Sequence, residues 1–163
     1  MTDNDNNNQE KKYLIFLLEQ NLYGLSIDNV AEIMEYQSPT KIPNLPPYVH
    51  GLFNLRGKVL PIIDLSVYLG QPNTRILKKT CIVVINYQYN NQLIYLSILV
   101  DDVVDVIEIF QSSLEKVPDI NMKINSEFIK NMFILNNQIV MLLDINQVFS
   151  EKALNIIAGI PNN

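Results

Sequence analysis

The sequence predicts a mainly β protein built from small barrels, and three observations favour this fold class. Short apolar runs rich in β-branched and aromatic residues alternate with polar turns along the 163-residue chain, which is typical of short antiparallel strands. The regular spacing of these turns favours small barrels over a sandwich of long strands. A stretch of the first half also recurs in the second half, so we expect two similar β-rich units.

Composition restricts the function classes. The net charge of -5 argues against a nucleic-acid partner, although a small β-barrel that binds nucleic acid remains an alternative of a different class. The single cysteine, Cys81, excludes an intrachain disulfide and fits a reducing compartment. Neither a signal-peptide pattern nor an apolar run of the ~20 residues that span a bilayer is found, so we expect a cytoplasmic protein.

The order of elements follows from paired apolar runs. Residues 1–12 are polar and are expected to form a disordered tail. Antiparallel hairpins are predicted over 13–25, 51–65, 81–100 and 128–143, with a further strand over 103–109. Two subdomains are expected within one domain over 13–149, and the polar segment 71–79 is the predicted boundary between 13–79 and 80–149. The remaining 150–163 should form an amphipathic helix and a tail.

One segment between the first two hairpins is predicted to be helical. Ser26 resembles an N-cap, and Asp28 lies favourably in the first turn that would follow it. Ile27, Val30 and Ile33 then recur at helical spacing. We therefore expect a short helix that ends before Pro39. A shorter helical turn is expected after Asp64, closed by Gly70.

The hairpin GLFNLRGKVLPIIDL over 51–65 carries the most informative residue. Its turn is Arg56-Gly57, and glycine there permits the positive φ of a primed turn. The stretch from Phe53 aligns without a gap with FILNNQIVMLLDI from Phe133, and the closing Asp64 and Asp144 coincide. The second turn has asparagine in place of Arg56, so folding does not require the arginine. A role in contacts is therefore predicted for Arg56.

Catalysis is not predicted. Acidic residues cluster at Asp101, Asp102, Asp105 and Glu108, and paired carboxylates can act in acid–base chemistry. However, adjacent residues on a strand point to opposite faces. The sequence lacks an activated-nucleophile pattern, a Gly-rich phosphate loop and metal-ligand spacing around its single histidine, His50. No cofactor or metal is therefore expected.

The pattern as a whole closely resembles the CheW-like coupling proteins of bacterial chemosensory arrays. The resemblance lies in GLFNLRGKVLPIIDL, in VAEIM before it, and in CIVVI and ILVDDVVDVIEI after it. It implies two packed five-stranded SH3-like β-barrels with short helices. It also implies a non-catalytic adaptor that links the cytoplasmic tip of methyl-accepting chemoreceptors to the regulatory domain of the histidine kinase CheA. An adaptor of a type IV pilus or another non-flagellar chemosensory system is an alternative.

The resemblance further implies a set of receptor-facing residues. Arg56 matches the arginine of the Asn-Leu-Arg-Gly motif, and Gly51 matches the glycine that opens it. Val30 and Glu32 match positions of the first-half helix. Cys81 and Val106 match positions that line the groove between the barrels, where the family usually has aliphatic residues. The resemblance assigns no residues to the kinase interface.

Overall fold

The computed structural model describes residues 9–118 and 126–158, and these form two five-stranded β-sheets. The strand order is β8-β1-β2-β10-β9 in the first sheet and β3-β6-β7-β5-β4 in the second. The strands are β1 (Glu10–Leu18), β2 (Asn21–Ser26), β3 (Val30–Glu35), β4 (Val49–Leu55), β5 (Lys58–Asp64), β6 (Cys81–Tyr89), β7 (Gln92–Val100), β8 (Asp102–Phe110), β9 (Ile129–Leu135) and β10 (Gln138–Leu143). Three short helices are α1 (Leu65–Tyr68), α2 (Ile145–Val148) and α3 (Glu151–Ala158). The predicted mainly β fold of two five-stranded units is confirmed.

Each predicted hairpin forms, and the two aligned hairpins share their turn geometry. Arg56 and Gly57 have φ values of +51° and +86°, and Asn136 and Asn137 have values of +50° and +65°. Positive φ at both central residues defines a primed turn, whose twist matches that of the flanking strands. The Asn54 side chain also accepts a hydrogen bond from the Gly57 N–H at 2.8 Å, which fixes the first turn.

The internal repeat extends to the ends of these hairpins. The backbone N–H of Asp64 donates to the Tyr48 carbonyl at 2.7 Å, and that of Asp144 donates to the Phe128 carbonyl at 2.8 Å. Each carboxylate then caps the helix that follows, α1 after Asp64 and α2 after Asp144. The repeat found in the sequence is therefore a repeat of structure.

The predicted division into consecutive halves at 79/80 is wrong. Strands β1 and β2 from the first half pair with β8 and β10 from the second, and β6 and β7 complete the sheet of β3, β4 and β5. The parallel pairs β2–β10 and β5–β7 make this exchange. The polar segment 71–79 is a loop that joins two strands of one sheet. Similar hairpins can pair with strands of their own half of the chain or with strands of the other half. The repeat alone therefore did not reveal that the two halves exchange strands.

The predicted helix after Ser26 is a strand. Ser26 does act as a cap, since its hydroxyl accepts from the Asp28 N–H at 3.3 Å, but it caps only the 3-10 turn Ile27–Asn29. From Val30 the chain pairs antiparallel with β6, and burial alternates with a period of two. The apolar residues of VAEIM fit both periods, and the pairing with β6 decided the outcome.

The termini differ in part from the prediction. Glu10 to Lys12 belong to β1 and pair with β8, so the ordered chain begins before Tyr13. The rest of the predicted disordered tail, residues 1–8, lies outside the described residues. The predicted C-terminal helix is confirmed as α3, and the Ser150 hydroxyl accepts from the Ala153 N–H at 3.1 Å.

The largest apolar core lies between the two sheets. It combines Leu14 and Phe16 of β1 with Val83 and Ile85 of β6, and α3 adds Leu154. Each sheet also encloses a smaller core of its own, around Phe53, Leu60 and Ile62 in one and Phe133, Val140 and Leu142 in the other. Because the shared core draws on both sheets, they pack as one unit.

Candidate functional site

Arg56 forms a two-bond ion pair with Glu32. Its Nη1 donates to Glu32 Oε2 at 2.9 Å and its Nη2 donates to Oε1 at 2.6 Å. The pair joins the tip of the β4–β5 hairpin to edge strand β3, and 73% of the arginine side chain remains exposed. Hydrogen bonding to Glu32 raises the pKa of the Arg56 guanidinium. Such a planar, bidentate contact fixes the orientation of the guanidinium group.

A groove of about 320 Å³ runs beside this pair on the second sheet. Leu60 and Val84 contribute apolar lining, while Lys58 and Tyr95 add a cation and an aromatic ring. The Lys58 Nζ lies 5.8 Å from the centroid of the Tyr95 ring, within cation–π range. Lys58 and Tyr95 are not recognisable as site residues from the sequence, because only the strand pairing places them near Arg56.

Strand β3 presents different residues on its two faces. Glu32 pairs with Val84, whose side chain belongs to the core enclosed by the second sheet. Ile33 pairs with Val83, which belongs to the core between the sheets, and Ile33 is 42% exposed. Directly paired residues lie on the same face of a sheet. The edge strand therefore carries the ion pair on one face and an exposed apolar side chain on the other.

The second face of β3 belongs to a seam between the sheets, which we define by Val30, Ile33, Cys81 and Val106. Val30 and Cys81 pack against the core between the sheets. Val106 lies on edge strand β8 opposite Leu14 of the same core, and is 44% exposed. The seam thus exposes apolar side chains from the edge strands of both sheets.

Cys81 is a packing residue of this seam. Its thiol donates to the Lys79 carbonyl at 3.1 Å. Burial raises the pKa of the thiol, while the backbone N–H of Val103 on β8 acts in the opposite direction. A thiol with a raised pKa is a poor nucleophile at neutral pH. The contact with Val103 places Cys81 where the two sheets meet.

Gly51 is a packing residue of β4. It is buried, and a Cβ there would lie 2.7 Å from Pro39 Cβ and 2.8 Å from the Thr40 carbonyl oxygen. Thr40 forms two backbone hydrogen bonds with Leu52, which bring the segment after β3 against β4. The glycine allows this close approach of two backbones.

Three other polar candidates, Asp101, Glu108 and His50, have structural partners. Asp101 Oδ2 accepts from the Glu19 N–H at 3.0 Å, and Glu108 lies 3.7 Å from Lys12. His50 Nε2 lies 2.8 Å from the Tyr36 hydroxyl. Within residues 9–118 and 126–158, no group of three histidine, cysteine, aspartate or glutamate side chains is arranged to hold a metal ion.

The fold and the site define a class of protein. Two packed small barrels present an apolar seam and, beside it, the exposed ion pair of Arg56 and Glu32, which we call the rim. This combination is suited to contacts with other proteins. The arrangement is that of a binding module that works through surfaces. Among the described helices, none has the length and apolar character needed to cross a membrane.

Comparison with known proteins identifies the family. A family model described as the CheW-like domain matches residues 12–153. The chemotaxis protein CheW of Bacillus subtilis (strain 168) is 31% identical over 143 residues, which cover 88% of this chain and 89% of that protein. CheW of Klebsiella aerogenes is 29% identical, with 92% and 88% covered. The chain therefore belongs to the CheW-like family.

A solved structure agrees with this assignment. The scaffolding protein TtCheW from Thermoanaerobacter tengcongensis superimposes with a TM-score of 0.76 at 30% identity, over 89% of this chain and 91% of that one. The expected role as a non-catalytic chemotaxis adaptor is confirmed by these relatives, and a nucleic-acid-binding barrel is not favoured.

Proposed function

We propose that this chain couples the cytoplasmic tip of methyl-accepting chemoreceptors to the regulatory domain of the histidine kinase CheA. This proposal is supported by edge strand β3, which presents a charged residue on one face and apolar residues on the other. Its Glu32 holds Arg56 at an exposed rim, and its Val30 and Ile33 belong to the apolar seam. One partner segment laid along β3 meets both features.

The seam suits the apolar face of a receptor helix. Exposed Ile33 and Val106 lie on the edge strands of the two sheets, which is the form of a helix-in-groove contact. Ile33 is 42% exposed and Val106 is 44% exposed, so burying what remains of one such side chain contributes roughly 1 kcal/mol, less than half of the value for full burial. The seam therefore supplies affinity for the receptor tip.

The rim supplies orientation. Arg56 is already fixed by two hydrogen bonds to Glu32, yet most of its side chain stays open to a partner carboxylate or carbonyl. Charges at the rim of an interface affect specificity and association rate more than affinity. The kinase regulatory domain then docks on barrel surface away from the seam, so that receptor and kinase bind together in the cytoplasm.

Co-sedimentation with a receptor-tip fragment and a CheA fragment tests this function. The wild-type chain should retain both partners and hydrolyse nothing. Val106→Glu, which places a charge in the seam, should lose the receptor fragment and keep the kinase fragment. Ile139→Glu is the matched control, because Ile139 is 55% exposed on β10 outside the seam. Retention of nucleic acid with neither protein partner would overturn the proposal.

A further inference from the structure

The loop between α1 and β6 is held in a fixed shape by two buried threonines. Thr74 is 7% exposed, and its hydroxyl and N–H donate to the Asp64 carboxylate at 2.8 and 3.0 Å. Thr80 is 3% exposed; its hydroxyl accepts from the Leu77 N–H at 2.8 Å and donates to the Arg75 carbonyl at 3.1 Å. Because residues 75–79 are already ordered, a partner that binds them meets a lower entropy cost.

This loop borders a cleft of about 660 Å³ that is lined by charges of both signs. Leu77 is 68% exposed, and Lys78 and Lys79 after it are also exposed. The same cleft is lined by Asp101 and Asp102, where β7 passes into β8. Within the part of the chain that the structure describes, none of these four charged groups lies within 4.0 Å of an opposite charge, since the two ion pairs found lie elsewhere. Both signs of charge are therefore available to a bound segment.

The cleft is continuous with the seam. Lys79 lies two residues before the seam residue Cys81, and its carbonyl accepts from the Cys81 thiol at 3.1 Å. Asp102 directly precedes Val103, whose backbone N–H contacts the same thiol. One residue on each side of this contact thus belongs to the lining of the cleft. A segment that lies in the seam and continues past Cys81 therefore enters the cleft.

We propose that the cleft binds the same receptor segment as the seam and selects it by charged residues that adjoin its apolar face. This inference rests on the receptor contact proposed above. The segment carries an acidic side chain toward Lys78 and Lys79 and a basic side chain toward Asp102. Two such side chains, three or four residues apart, lie on one face of a helix. The seam then supplies affinity, and the cleft adds discrimination among receptors by charge.

The position and the charges of the cleft favour this occupant over others. A nucleic acid or an anionic membrane is attracted by the lysines but repelled by Asp101 and Asp102, on a chain of net charge -5. A kinase domain placed in the cleft would obstruct the adjoining seam, whereas the proposed adaptor holds receptor and kinase at once. A receptor segment that already lies in the seam needs no second binding event to reach the cleft.

Titration calorimetry of the full chain with a chemoreceptor-tip fragment tests the inference. Lys79→Glu and, separately, Asp102→Lys should each raise the dissociation constant about tenfold at low ionic strength, and by less as salt screens the charges. The two variants change the net charge in opposite directions, so a change in overall charge does not account for weaker binding by both. The matched controls are Lys130→Glu, at an exposed position on β9, and Glu10→Lys, at the far end of β1. Both controls should bind like the wild type.

The seam variant Val106→Glu separates failure of the inference from failure of the proposed function. A wild type that does not bind the receptor fragment, or a Val106→Glu variant that binds it like the wild type, would overturn the proposed receptor contact and this inference with it. Binding that is lost in Val106→Glu but unchanged in either cleft variant would overturn the inference alone. Cleft variants that keep the receptor fragment and lose the CheA fragment would do the same. Circular dichroism checks that every variant is folded.

Discussion

Arg56 Nη2 lies 2.6 Å from Glu32 Oε1, and this contact joins two segments that are 24 residues apart in the chain. The arginine lies at the tip of the β4–β5 hairpin and the glutamate on edge strand β3. Both residues were expected to face the receptor, on separate elements. The structure brings them together as one unit, beside an apolar groove and on the reverse face of the strand that borders the seam.

Replacing Arg56 with alanine should weaken receptor binding and leave the fold intact. Alanine at φ +51° meets the same steric demand as arginine, and the side chain that is removed is 73% exposed, although its partner Glu32 is only 29% exposed, so the urea midpoint should change only slightly. Titration calorimetry with a receptor-tip fragment should show roughly tenfold weaker binding, as for truncation of an interfacial arginine. Lys130→Ala, which removes an exposed positive charge on β9, is the control. Equal affinities for the two variants would contradict a receptor role for Arg56.

Gly51→Ala should destabilise the fold. The new Cβ would overlap Pro39 and the Thr40 carbonyl, and both lie on a backbone pinned to β4. We expect a loss of about 2–3 kcal/mol in the free energy of unfolding, measured with urea. Gly57→Ala is the comparison: it has open space around it but a φ of +86°, and should cost about 1 kcal/mol. If the costs were equal, close packing would not be the reason for glycine at 51.

The repeat-related aspartates should differ in their effect on stability. Asp64 is 3% exposed and accepts three hydrogen bonds, two of them from Thr74. Asp64→Ala leaves the buried donors of Thr74 unsatisfied and should cost about 3 kcal/mol. Asp144→Ala loses only the cap of α2 and should cost about 1 kcal/mol. Urea denaturation of both variants checks the order, and a larger cost at Asp144 would contradict it.

Stability should fall on mild acidification because of His50. Burial lowers the pKa of His50 below the ordinary 6.5; nearby Lys41 acts in the same direction and Asp64 in the opposite one. Below about pH 6.5 the unfolded chain then binds a proton that the folded chain does not, so the free energy of unfolding decreases as the pH drops. His50 is the single histidine, which makes the assignment clean.

The measurement compares urea unfolding at neutral pH and about one unit below 6.5. His50→Gln keeps a polar side chain near the Tyr36 hydroxyl and should lose most of the pH dependence in this window. A wild type whose stability is flat across the window, or a variant with the same slope, would exclude His50 as the group responsible.

Local chemistry was sufficient for much of this fold. Alternating apolar runs and turn residues determined the hairpins, and Asn-Asn or Arg-Gly at the turns permitted the positive φ values that closed them. Asp64 and Asp144 determined where the following helices begin. The contrast between Arg56 and Asn136 at equivalent turns was also enough to select Arg56 as the residue not required for folding.

Tertiary structure decided how these pieces combine. VAEIM fits a helix and a strand equally in its apolar spacing, and only pairing with β6 made it the edge strand that carries Glu32. The exchange of hairpins between sheets had the same origin, because two similar hairpins offer similar edges and the choice depends on packing of the shared core. For the same reason the ion pair of Arg56 with Glu32 and the groove with Lys58 and Tyr95 were absent from the sequence pattern. Contacts between distant segments exist only once strand order and register are set.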